Sequence, residues 1–363
     1  MDIKYKKMIK RIKESNFLEI SDDYSKTIEI LSCDNKYTGK DTLRDCSPFL
    51  SIIVPTYKRP TLLKETLESI ISQKGFIDYE IVVVDNEGID HIEGASETEK
   101  VILEINNSRI RYYQNRKNVS SGENWNICLA LARGEWICMV HDDDVLLPDC
   151  LRSLYVQIVN NPDIEFLGCI NYSFQTKEEL EHVKEVKKAN IYGIGYEEFM
   201  YGMPVMLLGA FFKRSRAIEL GGFDTISYMQ DYVFVAKFAY FFNIYIYNRP
   251  LYGYRISMNQ DSANNEMNFI RRVADYYLWK SIAQKRGGCF QKLYLKNCQY
   301  NLRNRIGEYN SNGQYGLSHH IDQDDIFLVC EINKNRLNNW EYYLCKGVHF
   351  INMIRKREVR SGV

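Results

Sequence analysis

The chain has 363 residues, of which 45% are hydrophobic and 26% charged, as in an ordinary globular protein of about two domains. Lys and Arg together number 47, and so do Asp and Glu, which leaves a formal net charge of zero. A neutral chain without a basic stripe lacks the electrostatic signature of a nucleic-acid-binding protein. We therefore expect no nucleic-acid partner.

The ten cysteines form no C-x-x-C pair and no zinc-finger spacing, which favours reduced, buried thiols. The N-terminal segment MDIKYKKMIKRIK is basic but lacks the apolar centre of a signal peptide. No uninterrupted apolar run reaches about 18 residues, the length that a membrane-spanning helix requires. We therefore predict a cytoplasmic protein without a transmembrane segment.

The first 47 residues are polar and mixed, with one short helical pattern at the start. From Phe49 onward, short apolar runs that predict strands alternate with amphipathic patterns that predict helices. The predicted order is strand 49–54, helix 61–73, strand 79–84, strand 109–113, helix 121–133 and strand 136–140. This order predicts an α/β fold with a mostly parallel, doubly wound sheet flanked by helices.

Polar residues follow three of these strands, at 55–59 (PTYKR), 85–87 (DNE) and 142–144 (DDD). Ligands of doubly wound sheets bind at the carboxyl ends of the strands, so we expect these segments to converge on one site. Clustered carboxylates suit Mg²⁺ or Mn²⁺, which also binds phosphate oxygens. The alternative for the aspartate run is a solvated acidic turn ahead of a helix, but its position after a buried strand favours the metal.

The second half predicts a strand at 203–212, a short helix at 214–220 and a glycine turn at 221–224. A helix at 228–241 and a strand around 245–247 follow. Beyond these, the helical patterns lie at 268–286, 291–307, 324–332 and 340–357. The last of them is aromatic and ends basic, as in a helix that lies on an anionic membrane, although a terminal helix packed on the core fits equally.

Three segments together resemble the family 2 glycosyltransferase pattern: IIVPTYKRPTLLKETLESIISQ, EIVVVDNEG and NVSSGENWNICLALARGEWICMVHDDDVLLPDCL. The resemblance implies the GT-A fold, here with a C-terminal helical extension. It also implies a division into an N-terminal extension (1–47), a glycosyltransferase domain (48–265) and a helical C-terminal region (266–363). Within the domain, residues 48–150 would bind the nucleotide-sugar and residues 151–265 the acceptor.

The resemblance also assigns roles to single residues on the donor side. Thr56 and Tyr57 would line the nucleobase, although Tyr57 would equally suit a packed strand end. Asp85 and Asn86 would face the base and ribose, and the amide oxygen of Asn86 would accept the pyrimidine N3–H, so uracil is favoured and thymine stays open. The full donor set is Pro55, Thr56, Tyr57, Arg59, Asp85, Asn86, Arg116, Asn118, Asn126, His141, Asp142 and Arg255. Arg116 and Asn118 precede a helix N-terminus that suits a phosphate, or are ordinary surface residues.

For the metal, the resemblance implies Mn²⁺ or Mg²⁺ on Asp143, with Asp144 in support. His141 stands where the first Asp of the D-x-D motif often lies, and it would bind Mn²⁺ or form a hydrogen bond to the ribose. Asp142 would take over the usual contact of that first Asp.

The general base implied by the resemblance is Asp231. Relatives carry G-G-F-D, a loop and then E-D at the start of a helix, whereas this chain has Gln230-Asp231. A carboxylate there would take the proton of the attacking hydroxyl. The alternative is an acid that only favours the helix dipole. A further departure is Ser257, where relatives often have His, which leaves Arg255 for the diphosphate, and residues 260–262 would form a loop over the donor.

The predicted function is the inverting transfer of a sugar from a nucleotide-diphosphate donor, UDP-sugar first, to an acceptor hydroxyl. The acceptor would be a glycan or a lipid-linked glycan in the synthesis of a bacterial-type surface polysaccharide, with peripheral contact at the inner face of the membrane. Two alternatives stay open: a catalytically degenerate sugar- or partner-binding module, and a nucleotidyltransferase. The missing glycine-rich phosphate loop disfavours the latter.

Overall fold

The computed structural model describes residues 3–31, 33–35, 47–76, 78–88, 94–184, 186, 188–199, 202–227, 229–256, 265–286, 288, 293 and 295–296. Structural statements below concern these residues.

The described chain alternates helices with the strands of one ten-stranded sheet. The helices are α1 (Ile3–Glu14), α2 (Asp23–Glu29), α3 (Pro60–Ile71), α4 (Glu97–Ile105), α5 (Ser121–Leu131), α6 (Cys150–Asn160), α7 (Arg214–Glu219), α8 (Gln230–Phe241) and α9 (Asn265–Arg286). The strands are β1 (Cys33–Asn35), β2 (Leu50–Thr56), β3 (Tyr79–Asp85), β4 (Ile110–Asn115), β5 (Trp136–Met139), β6 (Val145–Leu146), β7 (Phe166–Phe174), β8 (Ile191–Ile194), β9 (Phe211–Lys213) and β10 (Ile244–Arg255).

The first half of the sheet forms as the apolar runs predict. Strands β2, β3, β4 and β5 lie side by side in parallel, and every residue of each is buried. Runs that are apolar on both faces suit such strands because helices cover both sides. Helix α3 begins with Pro60 in its first turn, and a capping box between Ser120 and Glu123 starts α5.

The sheet order is β1-β4-β3-β2-β5-β9-β7-β10-β6, with β8 paired to β10. The α/β fold with flanking helices is confirmed, but the sheet is mixed rather than mostly parallel. Four strand pairs are parallel and five are antiparallel. Strand β9 runs antiparallel to both of its neighbours, β5 and β7, at the centre of the sheet. The other three antiparallel pairs are formed by β1, β6 and β8.

The predicted strand at 203–212 is largely wrong. Only its last residues enter β9, and the segment before them is irregular apart from a single bridge between Leu208 and Met139. Some of its apolar side chains belong to the core, since Leu207 and Ala210 are fully buried. Others line a cavity at the carboxyl ends of the strands. Apolar composition alone does not distinguish these two uses from a strand.

The N-terminal extension contains more structure than the single helix that was predicted. Helix α1 buries Ile9 and Ile12 and packs against α9, while α2 packs against α5. Strand β1 extends the sheet by pairing with β4. The N-terminal extension therefore adds a strand to the sheet of the central domain and packs its two helices against α5 and α9.

Toward the C-terminus, α9 confirms the helix predicted at 268–286. Ser257, the loop at 260–262, most of the predicted helix at 291–307 and the whole of those at 324–332 and 340–357 lie outside the described residues. Among the helices that are described, none combines the length and the apolar character that a bilayer crossing requires. Cys128, Cys138, Cys150 and Cys169 are buried thiols that form no disulfide within the described residues, as the sequence predicted.

Candidate donor and catalytic site

A cavity of about 800 Å³ lies at the carboxyl ends of β2, β3 and β5. Thr56 ends β2, Asn86 follows β3, and His141 to Asp143 form the turn that follows β5. The structure thus brings together the three strand ends that the sequence predicted to converge. The predicted site residues that line the cavity are Pro55, Thr56, Tyr57, Arg59, Asn86, Asn118, His141, Asp142, Asp143 and Asp231.

The acidic turn is tied to the end of β2. The Asp142 carboxylate accepts hydrogen bonds from the Thr56 hydroxyl at 2.8 Å and from the Tyr57 amide at 3.3 Å. The Arg59 guanidinium bridges two carboxylates, at 3.2 Å from Asp142 and 2.9 Å from Asp143. Lys58 has a left-handed backbone, with φ of 55°, at the bend between Tyr57 and Arg59. Asp142 is thereby held by protein donors, whereas Asp143 has a single ion-pair partner among the described residues.

Asp144 lies one layer deeper than Asp143. Its carboxylate accepts hydrogen bonds from the Tyr252 hydroxyl at 2.8 Å and the Arg255 amide at 2.7 Å. Burial raises the pKa of Asp144 to about 7 and also raises the pKa of Asp142. Crowded, buried carboxylates of this kind are stabilised in their charged form by a nearby cation.

The same turn has the donor set of a divalent cation site. Ligand atoms of His141, Asp143 and Asp144 all lie within 4.8 Å of one another. The His141 Nε2 atom is buried without a hydrogen-bond partner in the described structure. One imidazole nitrogen with two carboxylates fits Mn²⁺, and the carboxylates alone suit Mg²⁺. These residues therefore fit the metal that the sequence analysis expected, with His141 added as a candidate ligand.

Two predicted donor contacts do not match the hydrogen bonding. Asp85 is fully buried and does not line the cavity, because its carboxylate accepts the Tyr112 hydroxyl at 2.9 Å and the Glu87 amide at 3.0 Å. The Asn86 amide oxygen already accepts the Asn115 side chain at 2.9 Å and the Val119 amide at 3.0 Å. Both lone pairs of that oxygen are used, so it is not available to a pyrimidine N3–H as predicted.

Three more predicted site residues do not line the cavity in the described structure. Asn126 is buried and bonds the backbone of Phe223 through both its amide atoms, at 2.9 and 2.8 Å. Arg255 donates to the Asp143 carbonyl at 2.7 Å and to Glu65 at 2.7 Å, so it braces the acidic turn from behind. Arg116, in the turn after β4, is not among the lining residues either.

Asp231 stands in the first turn of α8 and lines the cavity. Its carboxylate accepts the Tyr232 amide at 2.8 Å. The neighbouring Gln230, where relatives have Glu, donates from its side-chain amide to the Ser121 hydroxyl at 3.0 Å. This bond links the first residue of α8 to the first residue of α5. Gln230 therefore connects two walls of the cavity.

The glycine turn before α8 sets that helix against α5. Gly222 has a φ of +72°, and a Cβ there would lie 2.3 Å from the Asn126 amide oxygen, so this position requires glycine. The Asp224 carboxylate then accepts the amides of Ile226 and Ser227 at 3.0 and 2.8 Å. The G-G-F-D segment is therefore a shaped turn that places Asp231 at the cavity.

Residues that the sequence analysis missed complete the wall: Ser121, Asn124, Trp125, Gly202, Met203, Met206, Leu208, Met229, Gln230, Tyr232, Tyr254, Arg271, Asp275 and Trp279. A signal for part of this set was present. Arg271, Asp275 and Trp279 are spaced by four residues, which places them on one face of α9. A polar and aromatic stripe on a helix is ambiguous without its partner surface, so the spacing alone did not indicate a site.

Comparison with known proteins identifies the domain. Residues 51–221 match the family model described as glycosyl transferase family 2. The chain is 25% identical over 261 residues to an uncharacterized glycosyltransferase from Haemophilus influenzae, which covers 68% of this chain and 82% of that relative. It is 35% identical over 150 residues to the Campylobacter jejuni GalNAc(5)-diNAcBac-PP-undecaprenol beta-1,3-glucosyltransferase, which covers 39% of this chain and 46% of that relative. The chain therefore spans about half the length of the Campylobacter protein.

Solved structures show the same fold. S. aureus TarS in complex with UDP-GlcNAc superposes with a TM-score of 0.55 at 16% identity, over 86% of this chain and 90% of that chain. The mannosyltransferase PcManGT from Pyrobaculum calidifontis, in complex with GDP-Man and Mn²⁺, superposes with a TM-score of 0.50 at 17% identity, over 97% and 98%. Residues 51–221 therefore carry a glycosyl transferase family 2 domain, and the likeness to these solved structures shows the GT-A fold.

Proposed function

We propose that this protein is a metal-dependent, inverting glycosyltransferase of the hexosyltransferase type that moves a sugar from a UDP-sugar to an acceptor hydroxyl. One observation carries the proposal: a single cavity has an acidic turn with a cation donor set on one wall and the carboxylate of Asp231 on another. A sugar donor that spans the cavity would place its diphosphate at the acidic turn and its anomeric carbon toward Asp231.

The donor wall offers contacts for each part of a nucleotide. The Tyr57 side chain is 46% exposed at the cavity and presents a ring on which a base can stack. The N-terminus of α5, which begins at Ser121 near Asn118, suits a phosphate because the helix dipole places partial positive charge there. Support for UDP comes from TarS, whose structure contains UDP-GlcNAc, while the GDP-Man of PcManGT shows that the fold also takes another base.

His141, Asp143 and Asp144 would hold the divalent metal, which when bound neutralises charge on the leaving diphosphate. Arg59 touches Asp143 and Asp142, and its guanidinium keeps the carboxylates paired at the cavity edge. Asp142 and Asp143 are thus oriented before a donor binds, which lowers the free-energy cost of ordering the site.

Asp231 would act as the general base. The acceptor hydroxyl attacks the anomeric carbon while the bond from that carbon to the nucleotide diphosphate breaks, and the carboxylate takes the hydroxyl proton. One in-line displacement inverts the anomeric configuration. No covalent intermediate on a protein nucleophile is part of this reaction.

The acceptor and the biological setting follow from relatives. The Campylobacter relative is named for a glycan on a polyprenol diphosphate, and a Salmonella typhimurium relative is named abequosyltransferase. These names support a glycan or lipid-linked glycan acceptor. We further propose that the reaction serves surface polysaccharide synthesis at the inner face of the membrane. The division at residues 47, 150 and 265 into extension, donor half, acceptor half and C-terminal region belongs to the same proposal.

Product analysis tests the reaction and separates it from its alternatives. The purified chain is incubated with Mn²⁺ and single UDP-sugars, released UDP is quantified, and proton NMR reports the anomeric configuration of any transferred sugar. We expect UDP release and a product of inverted configuration. A folded sample that binds UDP but never releases it from a UDP-sugar would support the binding module, and pyrophosphate release from UTP and a sugar 1-phosphate would support a nucleotidyltransferase.

A further inference from the structure

The acidic turn after β5 is a tight turn whose backbone is held by α3 and β10. The Asp144 amide donates to the His141 carbonyl at 3.2 Å, which closes the turn. The Asp143 carbonyl accepts the Nε–H of Arg255 at 2.7 Å. The Asp144 carbonyl accepts the Thr66 hydroxyl at 2.7 Å. The three candidate metal ligands therefore project from a backbone that side chains of α3 and β10 fix in place.

A second contact from β10 joins two of these ligands. Tyr252 is fully buried, and its hydroxyl donates to the Asp144 carboxylate at 2.8 Å. The same hydroxyl accepts the His141 backbone N–H at 3.2 Å. One hydroxyl group thus orients the carboxylate of one candidate ligand and the backbone of another. Its removal would be costly, because two polar groups would each lose a hydrogen bond in a place that water reaches poorly.

Glu65 of α3 binds the guanidinium of Arg255. Its Oε2 accepts Arg255 Nη2 at 2.7 Å, and its Oε1 accepts Lys177 Nζ at 3.2 Å. The side chain of Arg255 is 12% exposed, whereas that of Lys177 is 56% exposed. The Arg255 guanidinium also lies over the Phe174 ring, 4.7 Å from its centroid. Arg255 is therefore shielded and held in the orientation from which it donates to Asp143, while Lys177 is a solvated partner.

Charge gives the Glu65 carboxylate a second effect on this turn. Arg255 brings a permanent positive charge to within 2.7 Å of the Asp143 carbonyl, on a residue that the proposed cation would bind. Like charges repel strongly in a shielded site, so an uncompensated guanidinium would oppose a divalent cation there. Glu65 offsets that charge and directs the guanidinium fork at the same time. Partners of this kind, one contact removed from a metal, typically change metal affinity by about 10–100-fold.

We propose that Tyr252 and the Glu65–Arg255 pair are positioning residues that set the affinity of the acidic turn for its divalent cation. They act through the candidate ligands, since none of the three is among the residues described at the cavity wall. The inference rests on the proposed metal-dependent transfer and goes beyond it by naming what tunes the metal. Tyr252 and Arg255 follow residue 221, where the family match ends, so the cation affinity of the donor side depends on a strand outside that match.

Equilibrium dialysis of radiolabelled UDP against the full chain tests the assignment without turnover. Mn²⁺ is varied, and the Mn²⁺ concentration that gives half of the maximal UDP binding is compared between variants. Glu65→Gln keeps the shape of the side chain but removes its charge, and Tyr252→Phe removes one hydroxyl. We expect each to raise the half-saturating Mn²⁺ concentration by about tenfold or more. At saturating Mn²⁺, both should bind UDP within about twofold of the wild-type affinity, because the donor contacts are untouched.

Lys177→Gln is the matched control, because it removes the solvated partner of the same Glu65 carboxylate. It should leave the half-saturating Mn²⁺ concentration within about twofold of the wild-type value. Arg255→Lys keeps the positive charge but loses the forked geometry, so it should behave like Glu65→Gln. Melting temperatures show which variants are folded. Because Glu65 is partly exposed, Glu65→Gln provides the test even if Tyr252→Phe, at a fully buried position, does not fold.

The outcomes separate this inference from the proposed function. If UDP binding to the wild type depends on Mn²⁺, an unchanged half-saturating concentration in either folded variant overturns the positioning role while the transferase stands. A loss of UDP affinity that persists at saturating Mn²⁺ overturns it as well, because the residues then act on the donor contacts themselves. UDP binding to the wild type that is independent of Mn²⁺ overturns both the inference and the metal dependence of the proposed function.

Discussion

The two walls of the cavity that we propose bind the donor (the donor wall) and the acceptor (the acceptor wall) are built in different ways. The donor wall consists of short segments at adjacent strand ends, around Thr56, Asn86 and His141, inside the 51–221 family match. The acceptor wall combines an irregular loop, the start of α8, the end of β10 and one face of α9, and most of it follows residue 221. Strand pairing in the sheet fixes the positions of the donor-wall residues, whereas the packing of helices and loops fixes those of the acceptor wall.

This difference indicates which properties each wall controls. Parallel strand ends hold their residues at positions set by backbone pairing, which suits the diphosphate that nucleotide-sugar donors share. Helix and loop surfaces can vary without disturbing a sheet, which suits an acceptor. Variants on the two walls should therefore affect different kinetic constants.

The largest effect is expected at Asp231. Asp231→Asn removes the group that takes the acceptor proton, so kcat for transfer should fall by about 10²–10⁴. The affinity for UDP should stay the same, because the donor wall is untouched. Steady-state UDP release and calorimetry measure the two quantities, and Asp163→Asn, at an exposed turn residue, is the matched control. Equal losses in UDP affinity and in kcat would show that the walls are not separable.

A variant in the framework of the donor half should instead affect stability. Glu80 is fully buried and accepts hydrogen bonds from Ser51 at 2.7 Å and Arg111 at 2.9 Å, as well as from the Arg133 amide. Glu80→Gln leaves the Arg111 guanidinium buried without its counter-charge, which should lower the free energy of unfolding by about 3–5 kcal/mol.

Urea unfolding measures this loss. The matched control is Glu104→Gln, which breaks an exposed pair with Lys64 and should leave the unfolding midpoint in place. If both variants unfold at the same urea concentration as the wild type, the buried pair is not what holds β3, β4 and β2 in register.

A smaller effect is expected at Tyr57, on the donor wall alone. Tyr57→Ala removes a half-exposed ring from the cavity, and loss of base stacking on an aromatic ring costs about 1–3 kcal/mol. UDP should therefore bind more weakly by calorimetry, while Tyr57→Phe should bind it as the wild type does. A wild-type affinity in Tyr57→Ala would remove Tyr57 from the nucleobase site, and the acceptor KM should change in neither variant.

Sequence patterns predicted the donor half better than the acceptor half for a physical reason. Apolar runs and helical spacing are local signals, and they identified β2, β3, β4, β5, α3, α5 and α8 close to their observed bounds. The antiparallel placement of β9 between β5 and β7 depends on long-range pairing that no local pattern encodes. Helix α4 and strand β7 were missed as well, although Ser96 caps α4 with a hydrogen bond that its sequence allows.

Site residues show the same limit. The resemblance correctly brought Tyr57, Asp143 and Asp231 to one cavity, because each follows a motif of fixed local shape. It did not predict that the Asn86 amide oxygen accepts hydrogen bonds from Asn115 and Val119, because those partners lie at the end of β4 and in the segment that follows it. Hydrogen-bond satisfaction is a property of the assembled fold, and only the structure provides it.

The proposed reaction depends most directly on a metal at the acidic turn that binds the donor diphosphate. The most direct test is calorimetric titration of UDP into the wild type and into Asp143→Asn, each with and without Mn²⁺, and with Asp163→Asn as the control. We expect Mn²⁺ to tighten UDP binding to the wild type by about 10–100-fold and to do nothing for Asp143→Asn. A UDP affinity that is the same with and without Mn²⁺, or that Asp143→Asn retains in full, would contradict the account.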